Sequence, residues 1–192
     1  QWLDEHKTHL SFNTETARQQ FESSYPFHPA VLSLFERKWQ ALPRFQQTRG
    51  ILRLLALWVA KAYNDGYKKL TKEALITLGI APLEEANFRA AVFEQLGENR
   101  LEAAVTTDIA GKDDAHAIRL DNEAIDAIKK ARLHKKCATT IFFESNGGQT
   151  AQGLATLPEI KLSVGDPDLD IGLVDGVLQS LLDSCYYLTT VN

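Results

Sequence analysis

Gln46-Gln47-Thr48-Arg49-Gly50-Ile51-Leu52-Arg53-Leu54-Leu55-Ala56-Leu57-Trp58-Val59-Ala60-Lys61-Ala62-Tyr63 reads as one long amphipathic helix. On a wheel of 3.6 residues per turn, Ile51, Leu52, Leu54, Leu55, Trp58 and Val59 cover a broad apolar arc. The remaining strip holds Gln46, Arg49, Gly50, Arg53, Ala56, Leu57 and Ala60. Two arginines four apart therefore lie in a lane of mostly small residues. A solvated face would carry Glu, Lys and Gln throughout. Small neighbours let a second surface come close while the arginines reach across it. A guanidinium keeps its charge and matches phosphate geometry, so Arg53 and Arg49 are candidates for phosphate contact. A salt bridge to a neighbouring helix is the competing role.

Helical signals continue on both sides. Asn13 is placed to cap a first helix in which Ala17 and Phe21 share a face. Tyr25-Pro26-Phe27-His28-Pro29 must be extended, because each proline drives its predecessor out of the helical region. Pro29 then opens a helix carrying Val31, Leu32, Phe35, Trp39 and Leu42, which Pro43 ends. Beyond the central helix, Thr71 reads as a cap and Gly79 as a stop. Pro82 opens a further helix with Phe88, Val92 and Leu96 inside, and Gly97 closes it. Ala103–Thr107 has the composition of a short strand, and Gly111-Lys112-Asp113-Asp114 that of a turn. Residues 121–145 are helical in pattern with a break near Leu133, although Ala138–Phe143 is β-prone.

Asn146-Gly147-Gly148-Gln149 is a loop. A short helix (Leu157–Val164), a tight turn (Gly165-Asp166-Pro167), a helix over Asp170–Asp183 and a strand over Cys185–Val191 follow. Helix, helix–turn–helix and strand is the opening order of a winged-helix unit. The expected fold is mainly α, in two parts: residues 1–128, and a winged-helix-like unit with little β at 129–192.

The 192 residues carry a formal charge of −4, with 44% apolar and 24% charged residues, ordinary values for a globular chain. That charge gives no global field to hold nucleic acid. No apolar run reaches the roughly 18 residues that cross a bilayer, and the opening Gln1-Trp2-Leu3-Asp4 has no signal-peptide character. A cytoplasmic location is expected, with no membrane contact. The lack of any methionine suggests a piece of a longer protein. Cys137 and Cys185 read as small core hydrophobes.

No catalytic constellation appears. HExxH, serine-elbow and Walker A patterns are absent, and the five histidines are scattered. No metal ligands are assigned, since turn and cap roles explain Asp108, Asp113 and Asp114. The densest basic run is Lys129-Lys130-Ala131-Arg132-Leu133-His134-Lys135-Lys136. It reads first as a solvated helix face and second as a nucleic-acid contact by Lys129, Lys130, Arg132, Lys135 and Lys136. Direct DNA reading by the last helix is disfavoured. From residue 145 onward six acids face one base, Lys161, and each phosphate contact needs a cation or a good donor.

Several stretches together resemble one family: Tyr25–Pro29; Phe45–Ala56; Phe88–Gly97; the run from Lys130 through Ile141-Phe142-Phe143-Glu144-Ser145-Asn146-Gly147-Gly148 to Pro158-Glu159-Ile160; and Pro167–Gly172. These are similar to the prokaryotic predicted ATPases of domain-of-unknown-function family 499. Those proteins are large, of AAA+ type, and often encoded beside DNA methyltransferases and helicases in suspected phage-defence islands. The resemblance implies that this chain follows a nucleotide-binding core, with a helical lid at 1–128 and a winged-helix-like module after it. Gly50-Ile51-Leu52-Arg53 is similar to the Gly-x-x-Arg pattern of the second sensor in initiator-type AAA+ lids, where an arginine reaches the γ-phosphate. Carried over, Arg53 is the first candidate sensor and Arg49 the second. The phosphate loop and the Mg²⁺-binding acid are not in the chain. ATP and Mg²⁺ are therefore implied only for a longer protein. The implied partners are the AAA+ core of that polypeptide and DNA-modification or helicase subunits. A DNA-binding module and a purely structural interaction domain are the rival roles.

Overall fold

A computed structural model describes residues 2–6, 8, 15–42, 49–111, 114–147 and 153–191. Helix follows helix along the chain: α1 (Trp2–Glu5), α2 (Ala17–Ser24), α3 (Pro29–Arg37), α4 (Arg49–Tyr67), α5 (Ala86–Leu96), α6 (Leu101–Ala104), α7 (His116–Glu123), α8 (Asp126–Ala131), α9 (Leu133–Ser145), α10 (Leu157–Val164) and α11 (Leu173–Ser184). Short 3₁₀ turns occupy Trp39–Ala41 and Leu78–Ile80, and one π-helical turn spans Val105–Ala110. The fold is mainly α. Among the described residues the only β contact is a single parallel bridge between Phe27 and Ile76. No described helix is long and apolar enough to cross a membrane.

The core is organised around aromatic side chains that the sequence spaces onto α4, α5 and α9. Trp58, 1% exposed, stacks on Phe143 at 5.7 Å and meets Phe88 and Phe27 edge-on at 5.3 and 6.3 Å. Trp39 stacks on the same Phe143 at 5.5 Å, and its indole N–H donates to the Phe143 carbonyl at 3.4 Å. Offset and edge-on aromatic pairs each add about 0.5–1.5 kcal/mol beyond the area they bury. α9 runs through the middle of this cluster and packs on α7, α10, α11 and the Leu78–Ile80 turn.

That position explains its unusual composition. Ala138–Phe143 is helical although its composition favours strands. Phe142 faces Phe93 while Phe143 faces Trp58 and Trp39. A helix buried on several sides shows no polar stripe, and its residues are selected for packing on all of them. The break near Leu133 is real. Arg132 adopts the left-handed conformation (φ 51°) between α8 and α9. Asp121 then caps α9, accepting from the backbone N–H of His134 at 2.9 Å and of Lys135 at 3.1 Å.

Pro29 opens α3 as expected. His28 is its N-cap, accepting at Nδ1 from the Ala30 N–H at 3.1 Å. Burial pushes the His28 imidazole down to about 4, which keeps that acceptor unprotonated. Phe88, Val92 and Leu96 are buried in α5, and Gly97 ends it in the left-handed region at φ 70°. A side chain there meets its own backbone, so Gly97→Ala should cost about 1–2 kcal/mol, seen as a lower urea midpoint with an unchanged slope.

Other expectations are corrected. Residues 71–77 are not helical. The Thr71 hydroxyl accepts from the Glu73 N–H at 3.0 Å in a local turn, and the chain then extends so that His28 N–H donates to the Ile76 carbonyl at 2.9 Å. Gly79 sits inside a 3₁₀ turn, where a Cβ would lie 2.9 Å from the Lys136 Cβ. It permits the approach of α9 rather than ending a helix. Pro82 opens a turn, closed by Glu85 N–H to the Pro82 carbonyl at 2.9 Å, and α5 begins only at Ala86.

Ala103–Thr107 is helical, not a strand. The Thr106 hydroxyl donates to the Glu102 carbonyl at 2.8 Å, the back-bond by which a threonine side chain is accommodated on a helical turn. Cys185–Val191 forms no strand with any described residue. The backbone N–H groups of Tyr186 and Tyr187 go to a side chain instead, as described below. The Asn13 cap, the Pro43 stop, and Lys112, Asp113, Gly148 and Gln149 of the two loops lie outside the described residues.

Candidate functional site

α4 displays the arginine lane, though not in the setting the wheel suggested. Its buried line is Gly50, Leu54 and Trp58. Ile51, Leu55 and Leu57 are half-buried, while Leu52 and Val59 are exposed. The helix is rolled toward α5 because Gly50 lets the two axes approach, and a Cβ there would run into the buried Gln95 side chain. Arg49 and Arg53 are consequently exposed. Arg53 Nη1 lies 3.0 Å from Glu94 Oε2 on α5, with the two side chains 56% and 55% exposed. The salt bridge to a neighbouring helix is thus formed, but at the surface, where such pairs contribute about 0–1 kcal/mol. No ion pair joins Arg49 to another described residue.

The 129–136 run does not form an open basic face. Lys129 donates to the Asn122 carbonyl at 3.0 Å, and Lys130 pairs loosely with Asp126 at 3.4 Å. Lys135 pairs with Glu84 at 3.0 Å, and Lys136 with Glu73 at 2.6 Å. Arg132 is exposed at the α8–α9 break. The break splits the run over two helices, and the chain's own acids neutralise three of the four lysines. Lys161, the one base from residue 145 onward, pairs with Asp175 on α11 at 2.9 Å.

The most buried charge cluster was not singled out by sequence. Lys38 and Glu144, 4% and 1% exposed, pair at 2.6 Å. Lys38 Nζ also donates to the Glu144 carbonyl at 2.9 Å and the Leu154 carbonyl at 3.3 Å, and lies 3.5 Å from Glu159. Arg37 reaches Glu159 at 3.1 Å. Burial raises the Glu144 carboxyl above the usual range in spite of Lys38. Burial pushes Glu159 the same way. The Thr156 N–H and hydroxyl, then Lys38 and Arg37, outweigh it, and Glu159 ends below that range. The cluster ties α3, α9 and α10 together, and every member has an internal partner. Its geometry is that of a structural clamp.

A family model described as DUF499 second domain matches residues 5–170. The chain belongs to this family. No curated protein and no solved structure matches it. The matched span takes in α4, α5, the 129–136 run and the Lys38 clamp.

In this DUF499 second domain a second buried carboxylate anchors the C-terminal segment. Asp108 lies on the π-helical turn. It accepts from the backbone N–H of Tyr186 at 3.1 Å and Tyr187 at 2.7 Å, and meets His116 Nδ1 at 2.8 Å. The segment lies over a largely apolar cavity of about 690 Å³ bordered by Leu101, Ile109, Phe142, Ile160 and Leu182. Cys185, half-buried beside it, has its thiol pushed up to about 12 by burial and then by Asp108, so it stays protonated. Cys137 is fully buried and likewise raised. Asp108→Ala strands two backbone donors and His116. We expect a loss of about 1–3 kcal/mol and faster amide hydrogen exchange confined to 185–191. Unchanged exchange there would show that the carboxylate does not hold the segment.

Proposed function

We propose that this chain is a non-catalytic module of an AAA+-type ATPase, sensing nucleotide held by another domain through Arg53, with Arg49 beside it, and passing that state to partner domains. The observation that carries the reading is the placement of both arginines on the exposed side of α4, with Arg53 held only by an equally exposed glutamate. A cation so weakly tethered can leave Glu94 for a phosphate at little cost. Ala56 and Ala60, also exposed, leave room for an opposing surface along the same line. The family description, a second domain, is in keeping with a part that works beside another.

The nucleotide-binding core of the same polypeptide would hold ATP and Mg²⁺, and this chain would contribute charge stabilisation from α4. The order α9, α10, turn, α11 supports a winged-helix-like reading of 129–192, with the helices serving as packing surfaces. DNA-modification or helicase subunits in phage defence are the partners that the family resemblance suggests. The rival role, a DNA-binding module built on 129–136, is weakened by the internal pairing of those lysines. The deciding experiment is ATP turnover of the full-length protein with Arg53→Ala, measured together with its melting temperature. Lost turnover at an unchanged melting temperature supports the sensor.

A further inference from the structure

The C-terminal end of α4 carries a second exposed feature that the arginine reading does not use. Tyr63 and Tyr67 are 70% and 79% exposed, with rings 6.3 Å apart and nearly parallel at 14°. The helix then closes with Leu70 N–H to the Asp65 carbonyl at 2.9 Å and Lys69 N–H to the Gly66 carbonyl at 3.0 Å. This is a Schellman arrangement. Its left-handed position, where glycine is at ease, holds Lys69 at φ 56°. Lys68, Lys69 and Lys72 are all exposed, and no ion pair joins them to another described residue. The acids nearby are already engaged: Asp65 pairs with Lys61 at 2.5 Å and Glu73 with Lys136 at 2.6 Å. Three exposed cations with no ion pair to a described residue thus follow two exposed, nearly parallel tyrosine rings, in contrast with the neutralised 129–136 run.

We propose that this end of α4 binds single-stranded nucleic acid, with bases on Tyr63 and Tyr67 and phosphates on Lys68, Lys69 and Lys72. The two tyrosines are one helical turn apart, about 6 Å along the axis, so successive bases can each meet a ring. Stacking of this kind tolerates any sequence, because every base has a π-face, and lysines supply the backbone attraction. A duplex offers only phosphates here, since its bases are already covered by their neighbours. The charge complement selects a polyanion over an apolar protein surface. Neither Arg49 nor Arg53 takes part, so the site stands or falls independently of nucleotide sensing.

The test is fluorescence anisotropy of the 192-residue chain with a labelled oligothymidylate of about ten nucleotides, over a salt series. Tyr63→Ala/Tyr67→Ala should raise Kd about tenfold or more at an unchanged melting temperature, because both side chains lie outside the core. Lys68→Ala/Lys69→Ala/Lys72→Ala should reduce the slope of log K against log salt by about 2, at roughly 0.7 per phosphate contact. Lys129→Ala/Lys130→Ala should change neither. An abasic oligomer should bind wild type as weakly as the tyrosine variant binds oligothymidylate. The proposal is overturned by absence of binding at low salt, by equal affinity for duplex, or by indifference to the tyrosine pair. It is also overturned if sedimentation shows self-association that the tyrosine variant abolishes, which would assign the patch to a protein partner.

Discussion

Lys38→Met should lower the stability of the fold by about 3–5 kcal/mol, the range for removing one partner of a buried ion pair. The cost comes from the group left behind. Glu144 is 1% exposed, and Lys38 is the cation within hydrogen-bond reach. Arg37 is 3.8 Å from it and half-exposed. The Glu144 and Leu154 carbonyls also lose their donor. Glu144→Gln should cost less, because Lys38 keeps both carbonyls and Glu159. Lys38→Met/Glu144→Leu should recover part of the loss, since apolar replacement of a whole buried pair is often neutral.

The sign of the pH dependence follows from the two glutamates. Glu144 has a raised folded value, so the folded state holds its proton more tightly than the unfolded chain. Its ionisation therefore removes stability as pH rises through that folded value. Lys38→Met removes the hydrogen bond and charge that oppose burial and moves Glu144 further up. The penalty should thus be larger near pH 8 than near about pH 5. Glu159 behaves oppositely. Its depressed value contributes stability above roughly pH 4.3, lost as pH falls through the folded value, so the comparison belongs above that window. Urea midpoints of the variants at both pH values measure the effect. A loss below about 1 kcal/mol that does not vary with pH would mean that water reaches Glu144.

Much of this architecture is legible in the sequence where a local rule acts alone. Pro29, the Leu157–Val164 helix with its Thr156–Glu159 capping box and Gly97 in its left-handed cap are decided within a turn or two of chain. The misreadings arise where tertiary contacts outvote composition. Ala138–Phe143 is no misreading, since its helical pattern holds, and its β-prone composition reflects packing on several sides. Cys185–Val191 looks like a strand, but Asp108, some 78 residues earlier, takes its amides. The wheel for α4 placed Leu52 and Val59 inside because it ranks residues by polarity. Gly50 against Gln95 sets the actual roll, and a wheel gives glycine no weight. The arginine lane was visible as two cations among small residues. The acid that meets Arg53 was not, since nothing local in sequence connects residues 53 and 94. The Lys38 clamp escaped for the same reason, its members being drawn from α9, α10, the end of α3 and the residue after it.

Arg53→Ala should lower ATP turnover of the full-length protein by a factor on the order of 10³, the scale of an arginine that stabilises phosphoryl-transfer charge, while leaving the melting temperature nearly unchanged. The second half rests on the geometry. Arg53 lies off the Gly50–Leu54–Trp58 line, and its one ion pair is solvent-screened, so truncation removes about 0–1 kcal/mol. Glu94 separates the two roles of the arginine. If Arg53 acts on phosphate, Glu94 only parks it between encounters, and Glu94→Ala should retain turnover at or above wild type. If the pair itself serves to fix α5 against α4, Glu94→Ala and Arg53→Ala should be alike in every readout. Arg53→Lys refines the argument. It preserves the charge toward Glu94 but loses the planar fork that matches phosphate oxygens, so the sensor role predicts poor rescue of turnover with full rescue of stability. Turnover per folded molecule that stays near wild type in Arg53→Ala would end the sensor reading, whatever happens to Glu94.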